Sequence, residues 1–162
     1  MTVDTTDLTA WQQPEAIMAA LKLPQIAVVG MSSNELRASN FVGYYMHRNG
    51  YQVTPVNPRE DEIYGLKSYN TLQDVPTQID VVDVFRDSSA VPEIAQAAVE
   101  IGAKYLWLQF GVISAEGIAI AEAGGVQCIV DKCIKIEHAR YQGRMHWLGF
   151  NTERISAQRN ND

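Results

Sequence analysis

Ile26-Ala27-Val28-Val29-Gly30-Met31-Ser32-Ser33 is an apolar run that ends on a glycine and passes directly into small polar residues. Four consecutive apolar residues leave neither side of a strand for solvent. The segment therefore predicts a strand covered on both faces, as in parallel sheets with crossover helices above and below. Phe41, Val42, Tyr45 and Met46 then fall at helical spacing, with Ser39 as the expected cap and Gly50 as the left-handed stop after Asn49. Gln52–Val56 reads as a second strand, and Pro55, which has no N–H for a ladder, puts it at an edge or an interruption. The same alternation continues with strands at Val81–Phe85, Tyr105–Leu108 and Val126–Val130. Between them lie a helix capped by Ser88 or Ser89, with Pro92 in its first turn and Gly102 at its end, and a helix from Ser114 to Gly124-Gly125. Short strands separated by crossover-length helices imply parallel pairing. The expected fold is α/β: a doubly wound, Rossmann-like parallel sheet of about five strands with helices on both faces.

Upstream, Pro14–Leu21 reads as a short helix across one side of the sheet, preceded by a polar leader, residues 1–13. Downstream of Pro58 a loop runs through Gly65, and Thr71–Asp74 has the spacing of a small capped turn. A chain of 162 residues, 46% hydrophobic and 20% charged, is one ordinary globular core. The reading is a single domain over 1–162, with its core at about 14–140 and a C-terminal extension at 141–162 whose end, Ser156 to Asp162, is a frayed tail. No apolar run approaches the roughly 20 residues that cross a bilayer. The start is polar and acidic, so the expected location is cytoplasmic, with no membrane partner. Thirteen basic against nineteen acidic residues give a net charge of −6, which argues against nucleic acid. Cys128 and Cys133 form neither a disulfide framework nor a zinc motif, and no metal is expected.

In open parallel sheets ligands bind outside the carboxyl ends of the strands. Those exits read Gly30-Met31-Ser32-Ser33, Asn57-Pro58, Phe85-Arg86-Asp87-Ser88, Gln109-Phe110-Gly111 and Asp131-Lys132-Cys133. The first lacks the second and third glycines of a dinucleotide turn, and the second lacks an acidic residue for a nicotinamide ribose, which counts against a dehydrogenase. No lysine followed by Ser or Thr closes a phosphate-binding glycine loop. What remains is a serine-containing loop, Ser32 to Ala38, that runs into a helix and offers backbone N–H groups, two hydroxyls and Arg37 to an anion. Arg86 directly follows an apolar strand and calls for a counter-charge: a ligand phosphate, or Asp83 or Asp87.

Taken in order, Val28–Ser32, Arg37, Gly50-Tyr51, Val56-Asn57-Pro58, Asp83–Arg86, Trp107–Gly111 and Val130–His138 resemble the small stand-alone CoA-binding domain proteins of bacteria. These in turn look like the CoA-binding domain of the succinyl-CoA synthetase alpha subunit without its catalytic partner domains. The match covers about Pro24 to Arg140. The resemblance implies coenzyme A or an acyl-CoA as the ligand, with its ADP part across the strand exits. It places the pyrophosphate near Gly30, Met31, Ser32 and Ser33, with Arg37 as a phosphate ligand. Asn57 and Pro58 would line the adenine or ribose side, Phe85, Arg86 and Ser88 would lie beside them, and Gln109 would close the pocket, with Asp131 and Lys132 at the last exit. Lys132 stands where the family often has arginine, which keeps the charge and removes the bidentate fork.

The functional expectation is a CoA-binding protein without catalysis, since no nucleophile of suitable spacing accompanies His138. Alternatives are a nicotinamide-dependent reductase or a detached subunit of an acyl-CoA ligase, and a CoA-sensing interaction module. Cys133 reads either as a thiol able to pair with that of CoA or as a packing residue beside Ile134 and Ile136. Tyr44, Tyr45, Trp107 and Trp147 read as core or interface aromatics.

Overall fold

The backbone alternates as the apolar runs dictate. The computed structural model describes residues 3–147, with side chains through Gln142. In chain order it contains helix α1 (Pro14–Leu21), β1 (Gln25–Val29), α2 (Ala38–Arg48), β2 (Gln52–Val56), β3 (Glu62–Ile63), β4 (Leu66–Lys67), β5 (Val81–Val84), α3 (Val91–Glu100), β6 (Tyr105–Leu108), α4 (Ala115–Ala123), β7 (Gln127–Val130) and α5 (Ile134–Trp147). Five strands form one parallel sheet in the order β2-β1-β5-β6-β7. Because β2 lies on one side of β1 and β5 on the other, the connections leave the sheet toward opposite faces at that point, and a crevice opens between them.

Alternation along the strands sorts the core into two layers. Ala27, Val29, Val82, Val84, Leu106, Leu108, Cys128 and Val130 pack with α3 and α4. Ile26, Val28, Val81, Trp107 and Ile129 pack with α1, α2 and α5. Val28, Asp83 and Trp107 are partners in register across three strands, so Asp83 points into the second layer. That makes it a carboxyl in an otherwise apolar stripe.

Both edges of the sheet are interrupted. Pro55 puts β2 at the edge, and its carbonyl accepts the Tyr69 N–H at 3.1 Å while the Asn57 N–H donates to the Tyr69 carbonyl at 2.9 Å. At β7 the leader does the covering: the Gln12 amide donates to the Val130 carbonyl at 3.0 Å, the Trp11 indole to Glu122 Oε2 at 3.2 Å, and Val3, Leu8 and Trp11 pack on the core. The polar leader therefore carries three apolar anchors.

Three local expectations change. α2 starts at Ala38, with the extended residue Arg37 at its cap position, so Ser39 lies inside the first turn and its hydroxyl accepts the Ser32 N–H instead of capping. Before α3, Ser88–Ala90 is a 3₁₀ turn capped by Asp87, whose carboxylate accepts the Ser89 N–H at 3.0 Å, while Ser88 Oγ accepts the Ile113 N–H. The turn at Leu72–Asp74 forms without a side-chain cap. Ser114 does cap α4, accepting the Gly117 N–H at 3.0 Å. The loop after Pro58 contains the antiparallel hairpin β3–β4, turned by Tyr64 and Gly65, both at positive φ. The stretch Ser156 to Asp162 lies outside the described residues, as does the side chain of Trp147.

Candidate ligand-binding site

At the crevice between β1 and β5, continuing over the exit of β2, lies a cleft of ≈ 670 Å³, within the size range of small-molecule sites. Gly30 forms its floor. Its φ is +89°, and a Cβ there would stand 3.0 Å from both the Phe85 carbonyl oxygen and Arg86 Cδ, so only glycine lets the β1 and β5 exits close to this distance. Of the sequence-predicted residues, Gly30, Ser32, Arg37, Asn57, Pro58, Phe85 and Arg86 line this cleft.

The remaining predicted residues serve other contacts. Met31 is fully buried against Gly43 and gives the site only its carbonyl, which accepts from Asn57 Nδ2 at 2.9 Å. Ser33 sits on the exposed loop, its N–H donating to Glu60 Oε2 at 2.7 Å. Gln109 is buried and donates its amide to Asp83 Oδ1. Asp131, at φ +60°, accepts the Gly111 N–H at 2.8 Å, and the Lys132 carbonyl accepts from the Trp107 indole at 2.8 Å. These contacts brace the β6 and β7 exits against each other, and none of Ser88, Gln109, Asp131 and Lys132 lines the cleft.

Arg59 and Glu60 line the cleft although the sequence reading passed over them. Arg59 lies three residues past the end of β2, the place where doubly wound sheets read the ribose of a bound nucleotide. That position was the available signal, and a run of four charged residues, Arg59 to Glu62, concealed it. Arg37, Arg59 and Arg86 are exposed, and among the described residues none of them forms an ion pair. Arg86 exerts a lesser pull on Asp87, whose carboxyl is held below its usual range first by the Ser89 hydrogen bonds. Asp83 does not answer Arg86. It is fully buried, Oδ2 has no hydrogen-bond partner, and desolvation pushes its carboxyl up to about 8 against the smaller, opposing effect of Gln109.

The loop from Ser32 to Arg37 uses most of its own donors. Asn34 N–H goes to Ser32 Oγ, Leu36 N–H to Asn34 Oδ1 and Arg37 N–H to the Asn34 carbonyl. Besides Glu35 N–H, the donors left open are at the start of α2, where, among the described residues, the N–H groups of Ala38 and Ser39 meet no acceptor. Both residues face the cleft, beside Arg37. A helix N-terminus carries partial positive charge, so the cleft brings together two unused N–H donors and three guanidinium groups, beside the carboxylates of Glu60 and Asp87.

Cys133 and His138 lie outside the cleft. Cys133 is buried in the layer of α1, α2 and α5. His138 is fully buried; its Nδ1 is 2.8 Å from the Tyr45 hydroxyl and its ring meets Tyr45 and Tyr51 edge-on. Trp107 is core, Tyr45 is half-buried, and Tyr44 stacks on Tyr64 at the surface with ring centroids 4.6 Å apart. Among the described residues no group of acidic, histidine or cysteine side chains is placed to hold a metal ion, and no helix is long and apolar enough to cross a membrane.

The family model described as CoA binding domain matches residues 24–139. Uncharacterized protein YneT of Bacillus subtilis (strain 168) is 38% identical over 115 residues, covering 71% of this chain and 85% of that one. The alpha subunit of ADP-forming acetate–CoA ligase II from Pyrococcus furiosus is 28% identical over 131 residues, and the match takes in 68% of this chain but 27% of the subunit. A hypothetical protein from Pyrococcus horikoshii OT3 shares the fold with a TM-score of 0.81 at 32% identity, covering 87% of this chain and 100% of that one.

Proposed function

The chain belongs to the CoA-binding domain family, and from that membership we propose that it binds coenzyme A or an acyl-CoA in the cleft between the β1 and β5 exits, without catalysing a reaction on it. The observation that carries this reading is the set of unpaired arginines around the open N-terminus of α2. A chain with a net charge of −6 gathers three arginines against two carboxylates, Glu60 and Asp87, at one concave place, and that is where an anionic nucleotide gains most. In this reading the pyrophosphate lies over Gly30 against the N–H groups of Ala38 and Ser39 and the Arg37 and Arg86 guanidiniums. Arg59 then answers the phosphate on the ribose, and Pro58 and Phe85 flank the adenosine.

The absence of catalysis is supported by the state of the cleft's hydroxyls. Ser32 Oγ accepts from the Asn34 N–H and Ser39 Oγ from the Ser32 N–H, and neither His47 nor His138 lines the cleft to act as a base. Binding is tested by calorimetry with CoA and acetyl-CoA at about 0.1 mM protein, together with native mass spectrometry. Heat and a one-to-one adduct are expected; silence in both would end the proposal.

A second reading, a detached component of an acyl-CoA ligase, is favoured by the likeness to 27% of a ligase alpha subunit. It requires a separate subunit to supply the reacting groups, and affinity purification from the native host in the presence of CoA would recover that subunit.

A further inference from the structure

Glu60 and Asp87 are the two carboxylates in the cleft that this reading does not use; Asp87 is held within its own turn by the N–H and hydroxyl of Ser89, whereas Glu60 reaches across to another loop. The loop between β1 and α2 holds its own backbone with acceptors built into itself or into α2: Ser39 Oγ for Ser32 N–H at 3.1 Å, Ser32 Oγ for Asn34 N–H at 3.0 Å, Asn34 Oδ1 for Leu36 N–H at 2.9 Å. Ser33 is the exception. Its N–H donates to Glu60 Oε2 at 2.7 Å, a side chain from the segment between β2 and β3, 27 residues further on. Ser33 is exposed and Glu60 half-buried, and the hydrogen bond from Ser33 holds the Glu60 carboxyl below its usual range. A carboxylate on a backbone N–H, in a cleft that three arginines also line, reproduces the charge and hydrogen-bonding pattern of a phosphate oxygen. It is also tethered by single bonds, so it can leave without any backbone change.

We infer that Glu60 is an internal anion that the ligand's phosphate displaces from the Ser33 N–H, so that binding exchanges one anion for another. This rests on the cleft being the CoA site. While Glu60 is in place it occupies the one loop donor that has a removable partner, and its charge offsets part of the arginine potential. Removing that charge leaves at most a neutral amide oxygen on the donor, a weaker competitor than a carboxylate, and leaves the full potential to the ligand.

The test compares wild type, Glu60→Gln and Glu62→Gln by calorimetric titration with CoA, after thermal unfolding has shown that all three fold. Glu62 lies on β3 outside the cleft and removes the same charge at nearly the same place in the chain. Glu60→Gln is expected to tighten CoA about tenfold, the scale of one charge-assisted hydrogen bond at an exposed site. Glu62→Gln is expected to stay within about twofold, because its charge acts only through screened solvent. Unchanged or weaker CoA binding in Glu60→Gln overturns the exchange while CoA binding itself stands, and so does equal tightening in both variants. Failure of all three proteins to bind CoA overturns the functional proposal and the exchange with it.

Discussion

Asp83→Asn should make the protein more stable, by an amount that grows with pH. The carboxyl sits at 0% exposure between Val28 and Trp107, with one oxygen unpartnered and the other taken by Gln109. Burial raises it from 3.8 to about 8. An acid raised in the folded state keeps a proton that the unfolded chain has already lost. Its stabilising contribution is therefore whole below pH 3.8 and disappears as the pH climbs through about 8. Each pH unit within that window costs about 1.4 kcal/mol, or about 4 kcal/mol between pH 4 and pH 7. Asparagine has the same shape and no proton to lose. Urea unfolding followed by tryptophan fluorescence, at unit intervals from pH 5 to pH 9, gives the difference in stability between variant and wild type. That difference should widen by about 1.4 kcal/mol per unit up to pH 7 and level off above pH 8. A constant difference across the range would show that Asp83 titrates in the folded state as it does in the unfolded one, and the argument from burial would fail.

Gly30→Ala puts a Cβ within 3.0 Å of the Phe85 carbonyl and the Arg86 side chain at a φ of +89°, and should cost about 1–2 kcal/mol in urea unfolding. It should also weaken CoA binding by moving Arg86. Arg37→Ala and Arg86→Ala should each raise the CoA dissociation constant about tenfold with the thermal midpoint unchanged, because both side chains are exposed and carry no ion pair among the described residues. Unchanged affinity in both variants would remove the proposed pocket. Ser114→Ala removes the cap from α4 and should lose about 1 kcal/mol of stability without touching affinity, which chemical denaturation and a CoA titration would show together.

The sheet was legible because its strands are buried on both faces. Runs such as Ile26-Ala27-Val28-Val29 and Leu106-Trp107-Leu108 have no alternative as surface elements, and each ends on a glycine or a polar residue, Gly30 and Gln109. The hairpin β3–β4 was not legible, since two-residue strands are too short to display a period of two. Caps were read only as well as their geometry allowed: Ser114 has one helix start to serve, whereas Ser39 and Ser88 were diverted to the N–H groups of Ser32 and Ile113 by tertiary neighbours that sequence does not reveal. Within the cleft, Gly30, Asn57 and Arg86 are legible as strand exits, and Arg37 as the end of the serine-containing loop that runs into a helix. Glu60 was not, because its partner, the Ser33 N–H, is brought to it by the return of the chain after β2.

The interrupted sheet edges bear on how molecules of this kind meet one another. A bare edge strand is a template for a further strand from a second chain. Here Pro55 has no donor to offer and its carbonyl is occupied by Tyr69, and at the opposite side Gln12 holds the Val130 carbonyl. Growth of the sheet from chain to chain at β7 is thereby tied to local unfolding of the leader, because peeling Trp11 and Gln12 away uncovers that edge. The contacts of Trp11 and Gln12 are therefore also what keeps that edge closed to a strand from a second chain.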